Sequence, residues 1–120
     1  MIEMLPLRDR SVLDELNRRA GTSCKLAYCL YAGGELEGWL LYDMDGRKVR
    51  LQALSSPDEA TADGLIRAVF GGMLDIGVDR AVFSERIDSG LVERLGFVQN
   101  GGKETPSIRD VLYKCKNCKK

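Results

Sequence analysis

The stretch SSPDEATADGLIRAVFGGMLDIGVDRAVF, residues 55–83, decides the fold. Leu65, Val69, Met73 and Ile76 recur at helical spacing, and Ile66, Phe70 and Leu74 make a second apolar stripe beside the first. Only Arg67 and Asp75, with Gly71 between them, form a polar strip. A helix this apolar over residues 65–77 is mostly covered, as a helix lying on a sheet would be. Gly77 ends it, and RAVFSE, residues 80–85, reads as the strand that follows. KVRLQALS, residues 48–55, reads as the strand before it.

Working outward toward the N-terminus, two further strands precede this unit. CKLAYCLYA (24–32) runs through Gly33-Gly34 into ELEGWLLYD (35–43), and DMDGR turns that strand into residues 48–55. Gly-Gly and Asp-Gly are hairpin signals because their residues accept positive φ, so an antiparallel meander is expected. Before it, Val12, Leu13, Leu16 and Ala20 mark an amphipathic helix over residues 11–20, closed by Gly21. IEMLPL begins the chain as a short strand stopped by Pro6.

Toward the C-terminus, DSGLVERLGF reads as a short helix with Asp88 as N-cap and Gly96 just past its end. SIRDVLYKC, residues 107–115, is expected to supply a last strand. The sum is one α/β (α+β) domain over residues 1–120. Its sheet is mixed and mostly antiparallel with helices on both faces, and residues 114–120 form a basic, cysteine-containing tail.

Composition narrows the chemistry. Eighteen basic and eighteen acidic side chains cancel, so no net field draws the chain to nucleic acid or to a membrane. Apolar runs fall short of the ~20 residues a membrane helix needs, and MIEMLPLRDR lacks the layout of a signal peptide. The cytoplasm is the expected compartment. Histidine is absent, which removes Ser-His and Cys-His nucleophile pairs and the commonest metal ligand. Cys115 and Cys118 stand at C-x-x-C spacing in the lysine-rich tail, and Cys24 and Cys29 lie five apart in the strand expected over residues 24–32, so their side chains should point to opposite faces. Free thiols are the simpler reading, with a metal site shared between two chains the alternative.

The element order, with ERLGF behind a strand and short helix, resembles the GNAT superfamily of N-acetyltransferases. The resemblance spans nearly the whole chain, although its N-terminal half is short for the two helices usual there. It implies that residues 48–55 are the fourth strand, and that Gln52, Ala53 and Leu54 pair through their backbone with the pantetheine arm of acetyl-CoA. It also implies that a loop of pattern Q/R-x-x-G-x-G/A binds the pyrophosphate at the start of the long helix. Here the six positions are EATADG, residues 59–64, and only Gly64 fits. The implied contacts are the backbone N–H groups of Ala62, Asp63, Gly64 and Leu65.

Chemistry pulls the other way at this loop. A helix N-terminus offers unpaired N–H groups to an anion, but Asp58, Glu59 and Asp63 surround this one with carboxylates. Thr61 is a natural N-cap, so self-capping stands as the first reading and an altered acetyl-CoA site as the second. The tyrosine that the resemblance implies as general acid falls on Val92. Tyr28, Tyr31, Tyr42 and Tyr113 are substitutes to weigh, and Glu35 or Glu37 could act as a base if buried. Catalytic residues are therefore unassigned. Trp39, beside the hairpin, suits packing, a ligand pocket or a dimer face. Two functions remain: an acetyl-CoA-dependent N-acetyltransferase acting on a small amine, or a non-catalytic binding or homodimerising module of the same fold.

Overall fold

The computed structural model describes residues 2–99 and 101–113. Ten elements follow in chain order: β1 (Ile2–Pro6), α1 (Arg10–Ala20), β2 (Leu26–Ala32), β3 (Glu35–Asp45), β4 (Lys48–Ser55), α2 (Glu59–Asp75), β5 (Arg80–Phe83), α3 (Ser89–Arg94), β6 (Glu104–Thr105) and α4 (Ile108–Tyr113). The six strands lie side by side in sequence order. All neighbours run antiparallel except β4 and β5, whose parallel pairing is bridged by α2.

Alternation along the strands divides the core in two. On one face α2 buries Leu65, Ile66, Val69 and Phe70 against Val49, Leu51, Ala81 and Phe83. Phe70 meets Phe97 edge-on with centroids 5.4 Å apart, which ties the segment after α3 to α2. On the other face Leu16 of α1 packs with Ala27, Cys29, Leu41 and Ala53. Helices therefore cover both faces, as the sequence predicts.

The tight turns also match. Gly33 and Gly34 both take positive φ between β2 and β3, and Gly46 does so between β3 and β4. Asp9 caps α1 by accepting from the Ser11 and Val12 N–H groups, and Gly21 ends it at φ 71°. Asn17, buried in α1, then fixes the exit: its amide donates to the Cys24 carbonyl, and its oxygen accepts from the Cys24 N–H and the Thr22 hydroxyl.

Two expectations give way. Residues 107–113 do not form a strand; β6 is the two-residue Glu104–Thr105, and Pro106 separates it from helix α4. The spacing of Ile108, Val111 and Leu112 is helical, and Asp79 accepts from the Arg109 N–H at the start of the helix. The second concerns Cys24 and Cys29. They do not face opposite sides, because Cys24 precedes β2 rather than lying in it, and both thiols join the core beneath α1. Cys115 and Cys118, with the rest of the tail, lie outside the described residues. No helix among the described residues is long and apolar enough to cross a membrane.

Candidate functional site

The site is built by a defect in β4. Leu41 of β3 pairs with Ala53 and Tyr42 pairs with Leu51, so Gln52 is an extra residue on β4. Such a bulge bends its strand and ends regular pairing. Parallel pairing to β5 stops there, its last pair being Leu51 with Phe83. The apex is pinned by Ser84, whose N–H donates to the Leu51 carbonyl at 2.8 Å and whose hydroxyl donates to the Gln52 carbonyl at 2.6 Å. Beyond that point β4 continues to Ser55 with no strand on its β5 side among the described residues.

A groove of about 300 Å³ opens at this parting, between the start of α2 and the length of α3. Leu54 forms its inner end, Ala62 and Leu91 its apolar walls, and Asp58, Glu59, Asp88 and Arg94 its rim. Arg94 reaches across from α3 to Glu59, with Nη2–Oε2 at 2.5 Å. On the opposite face a second depression, of about 730 Å³, is lined by Lys25, Asp43, Asp45, Arg50 and the bulge residue Gln52. The second depression thus reaches the bulge itself, whereas the first meets β4 beyond it, at Leu54.

The register of α2 differs from the one read in the sequence. The helix starts at Glu59, six residues ahead of Leu65, and its N-cap is Asp58 rather than Thr61. Asp58 Oδ1 accepts from the Thr61 N–H at 2.8 Å and from its hydroxyl at 2.9 Å. Those two bonds, the N–H first, hold the Asp58 carboxyl below the usual range, so it is charged at neutral pH. Residues 59–64 are therefore helix rather than loop. The Ala62 N–H is already spent on the Asp58 carbonyl, and those of Asp63, Gly64 and Leu65 fall inside the helical ladder.

The seven residues singled out by sequence are accordingly dispersed. Gln52 is the bulge, Leu54 and Ala62 line the groove, and Ala53 turns under α1. Asp63 faces Arg67, which pairs with it at 3.0 Å. Gly64 lies against β1: a Cβ there would stand 2.7 Å from Met4 Cε, and the methionine's end would have to move aside. Leu65 is fully buried in the core.

No assigned general acid or base emerges. Val92 is fully buried, and among the described residues no tyrosine lines the groove at α3. Tyr42 is buried in the α2-side core, where desolvation pushes its hydroxyl above its ordinary value, while Tyr113 is exposed. Glu35 and Glu37 are exposed beside the turn, not buried against apolar walls. No cluster of three or more metal-ligating side chains exists among the described residues. Sequence reading missed Ser56, Asp58, Glu59, Asp88, Leu91 and Arg94 as groove residues. The capping role of Asp88 was visible, but not its meeting with α2.

No protein-family model matches the chain, and no curated protein does. Solved structures do. The ribosomal-protein-S18-alanine N-acetyltransferase of Escherichia coli aligns over 100% of both chains with a TM-score of 0.64 and 11% identity. The GNAT-family N-acetyltransferase YhbS of Escherichia coli, solved in complex with CoA, aligns over 87% of this chain and 70% of its own with a TM-score of 0.59 and 16% identity. A GNAT-family acetyltransferase of Streptococcus pneumoniae aligns over 100% of this chain and 97% of its own, at a TM-score of 0.58 and 16% identity. At these identities the likeness concerns the backbone and not the side chains of the site. The chain thus shares the fold of these GNAT-family structures.

Proposed function

We propose that the parting of β4 from β5 receives the acyl-pantetheine arm of an acetyl-CoA-type thioester, and that the protein is an acyl-CoA-binding member of its fold. The observation that carries this reading is the β4 backbone beyond Gln52, which has lost its β5 partner and ends at the groove lined by Leu54, Ala62 and Leu91. An unpaired strand edge supplies the alternating donors and acceptors that an amide-rich arm can use, with no particular side chain required. CoA in the YhbS structure supports the same reading by analogy of fold. In its enzymatic form, acetyl passes from the thioester to a small amine. The depression at Lys25, Asp43 and Arg50, which reaches the bulge from the other face, supports an approach for such an acceptor.

A second reading, a non-catalytic binding module, draws on Val92. A buried valine cannot deliver a proton to a thiolate leaving group, and among the described residues the groove offers no tyrosine in its place. Titration of the protein with acetyl-CoA, followed by calorimetry and backbone NMR, tests the binding itself. Saturable binding with the largest amide shifts at residues 52–55 is expected. Absence of saturation at millimolar ligand, or shifts centred elsewhere, would sink the proposal. An acetyl-transfer assay on an amine panel then separates the two readings.

A further inference from the structure

The far end of the groove is unlike a phosphate cradle. Its rim holds three carboxylates, Asp58, Glu59 and Asp88, against the single guanidinium of Arg94, leaving two uncompensated negative charges. Several of the groups that would meet a phosphate oxygen are held by the protein's own carboxylates. Asp58 holds the Thr61 N–H and hydroxyl, Asp88 holds the Gly90 N–H at 3.0 Å, and Glu59 holds Arg94. The Ser56 hydroxyl is turned inward to the Asp58 carbonyl and to Thr61 Oγ1. A pyrophosphate placed here would meet like charge on an exposed rim, a repulsion that opposes binding most at low ionic strength.

Resting on the reading that the cleft takes a pantetheine arm, we infer that this arm alone holds the donor. The preferred ligand is then an S-acylpantetheine thioester without a nucleotide pyrophosphate. The same arm could be free or borne by a carrier protein through a single phosphodiester. Acetyl-CoA still enters, but its nucleotide adds nothing to affinity and costs some of it at low ionic strength. Salt then acts against the usual trend for anionic ligands: screening relieves repulsion, and acetyl-CoA binds more tightly as salt is added.

The test is calorimetric titration of the full chain with S-acetylpantetheine and with acetyl-CoA, each at low and high ionic strength. S-acetylpantetheine is expected to bind at least as tightly as acetyl-CoA at low salt, with no salt dependence of its own. Glu59→Gln removes one charge and releases Arg94, and should raise the affinity for acetyl-CoA about tenfold relative to that for S-acetylpantetheine. An acetylated carrier protein binding more tightly than the free arm would assign the protein-borne source; weaker binding would assign the free thioester. Acetyl-CoA binding tenfold or more tighter than S-acetylpantetheine, and weakening with salt, would overturn the inference while the cleft reading stood. Binding of neither ligand would overturn both.

Discussion

The Ser84 hydroxyl donates to the carbonyl of Gln52 at 2.6 Å and so closes the apex between the two strands that part. The same oxygen accepts from the Arg86 N–H at 3.1 Å, which links the apex to the segment leading into α3. Ser84→Ala should lower stability by about 1 kcal/mol, the usual net worth of one such bond. It should also weaken thioester binding, because β4 is freer to move at its bulge. Ser84→Thr retains the hydroxyl and should restore most of both. Urea unfolding and calorimetric titration of the two variants check this; equal behaviour of the two would remove Ser84 from the apex.

Asn17 is expected to dominate the local stability of the exit from α1. Asn17→Ala leaves both the N–H and the carbonyl of Cys24 without their partner in a buried setting. Each such loss costs about 1–3 kcal/mol, so a drop of about 2–6 kcal/mol in unfolding free energy is predicted. Chemical denaturation measures it directly, and a loss below about 1 kcal/mol would show that water replaces the side chain.

Two glycines should respond in opposite ways to alanine. At Gly38 in β3 an added Cβ would lie 2.9 Å from the Ser55 carbonyl oxygen, a backbone atom that cannot simply rotate away. Gly38→Ala should therefore destabilise by about 1–3 kcal/mol and disturb the end of β4. Gly72 sits inside α2, exposed, with nothing within 4 Å of the added atom. Gly72→Ala should stabilise by about 1 kcal/mol through helix propensity alone. Thermal melts of the pair provide the contrast.

The thiols of Cys24 and Cys29 give a prediction at alkaline pH. Burial pushes both up to about 11 from the ordinary 9.0, with the Asp43 charge adding to the effect at Cys24. A folded-state value above the unfolded one means that the stabilising contribution is complete below about 9, and it declines as pH rises through about 11. The unfolding midpoint should fall over that window, and less so in Cys29→Ala measured relative to its own neutral-pH stability. At neutral pH, alkylation at these two positions, mapped by mass spectrometry, should proceed only as fast as the protein opens.

Most of the fold was legible because its signals are local. The helical stripes of α2, the Gly33-Gly34 and Gly46 turns and the Asp88 cap each depend on a few adjacent residues. Errors came where two local signals compete. Asp58 and Thr61 are both capping types three residues apart, and only the aspartate's bond to the threonine N–H decides between them. Val111 and Leu112, apolar and beside Tyr113, carry a strand-like composition, yet with Ile108 they have helical spacing after Pro106. The groove was least legible, because it depends on pairs remote in the chain. Glu59 and Arg94 are 35 residues apart, and nothing in either segment announces the other.

The position of Pro6 bears on how copies of this protein avoid one another. The Leu7 N–H donates to Ala27 opposite it, and the register then directs the donors of Glu3 and Leu5 toward β2 as well. Residue 6 would present its donor to solvent, on the open border of the sheet, and proline has none to present. At the other border, among the described residues, β6 offers two residues. A growing stack of chains would find too few consecutive hydrogen bonds on either side to template itself. Replacing Pro6 by valine should leave the monomer's stability little changed and raise its rate of aggregation, followed by light scattering, so this ring's service is to solubility rather than to folding.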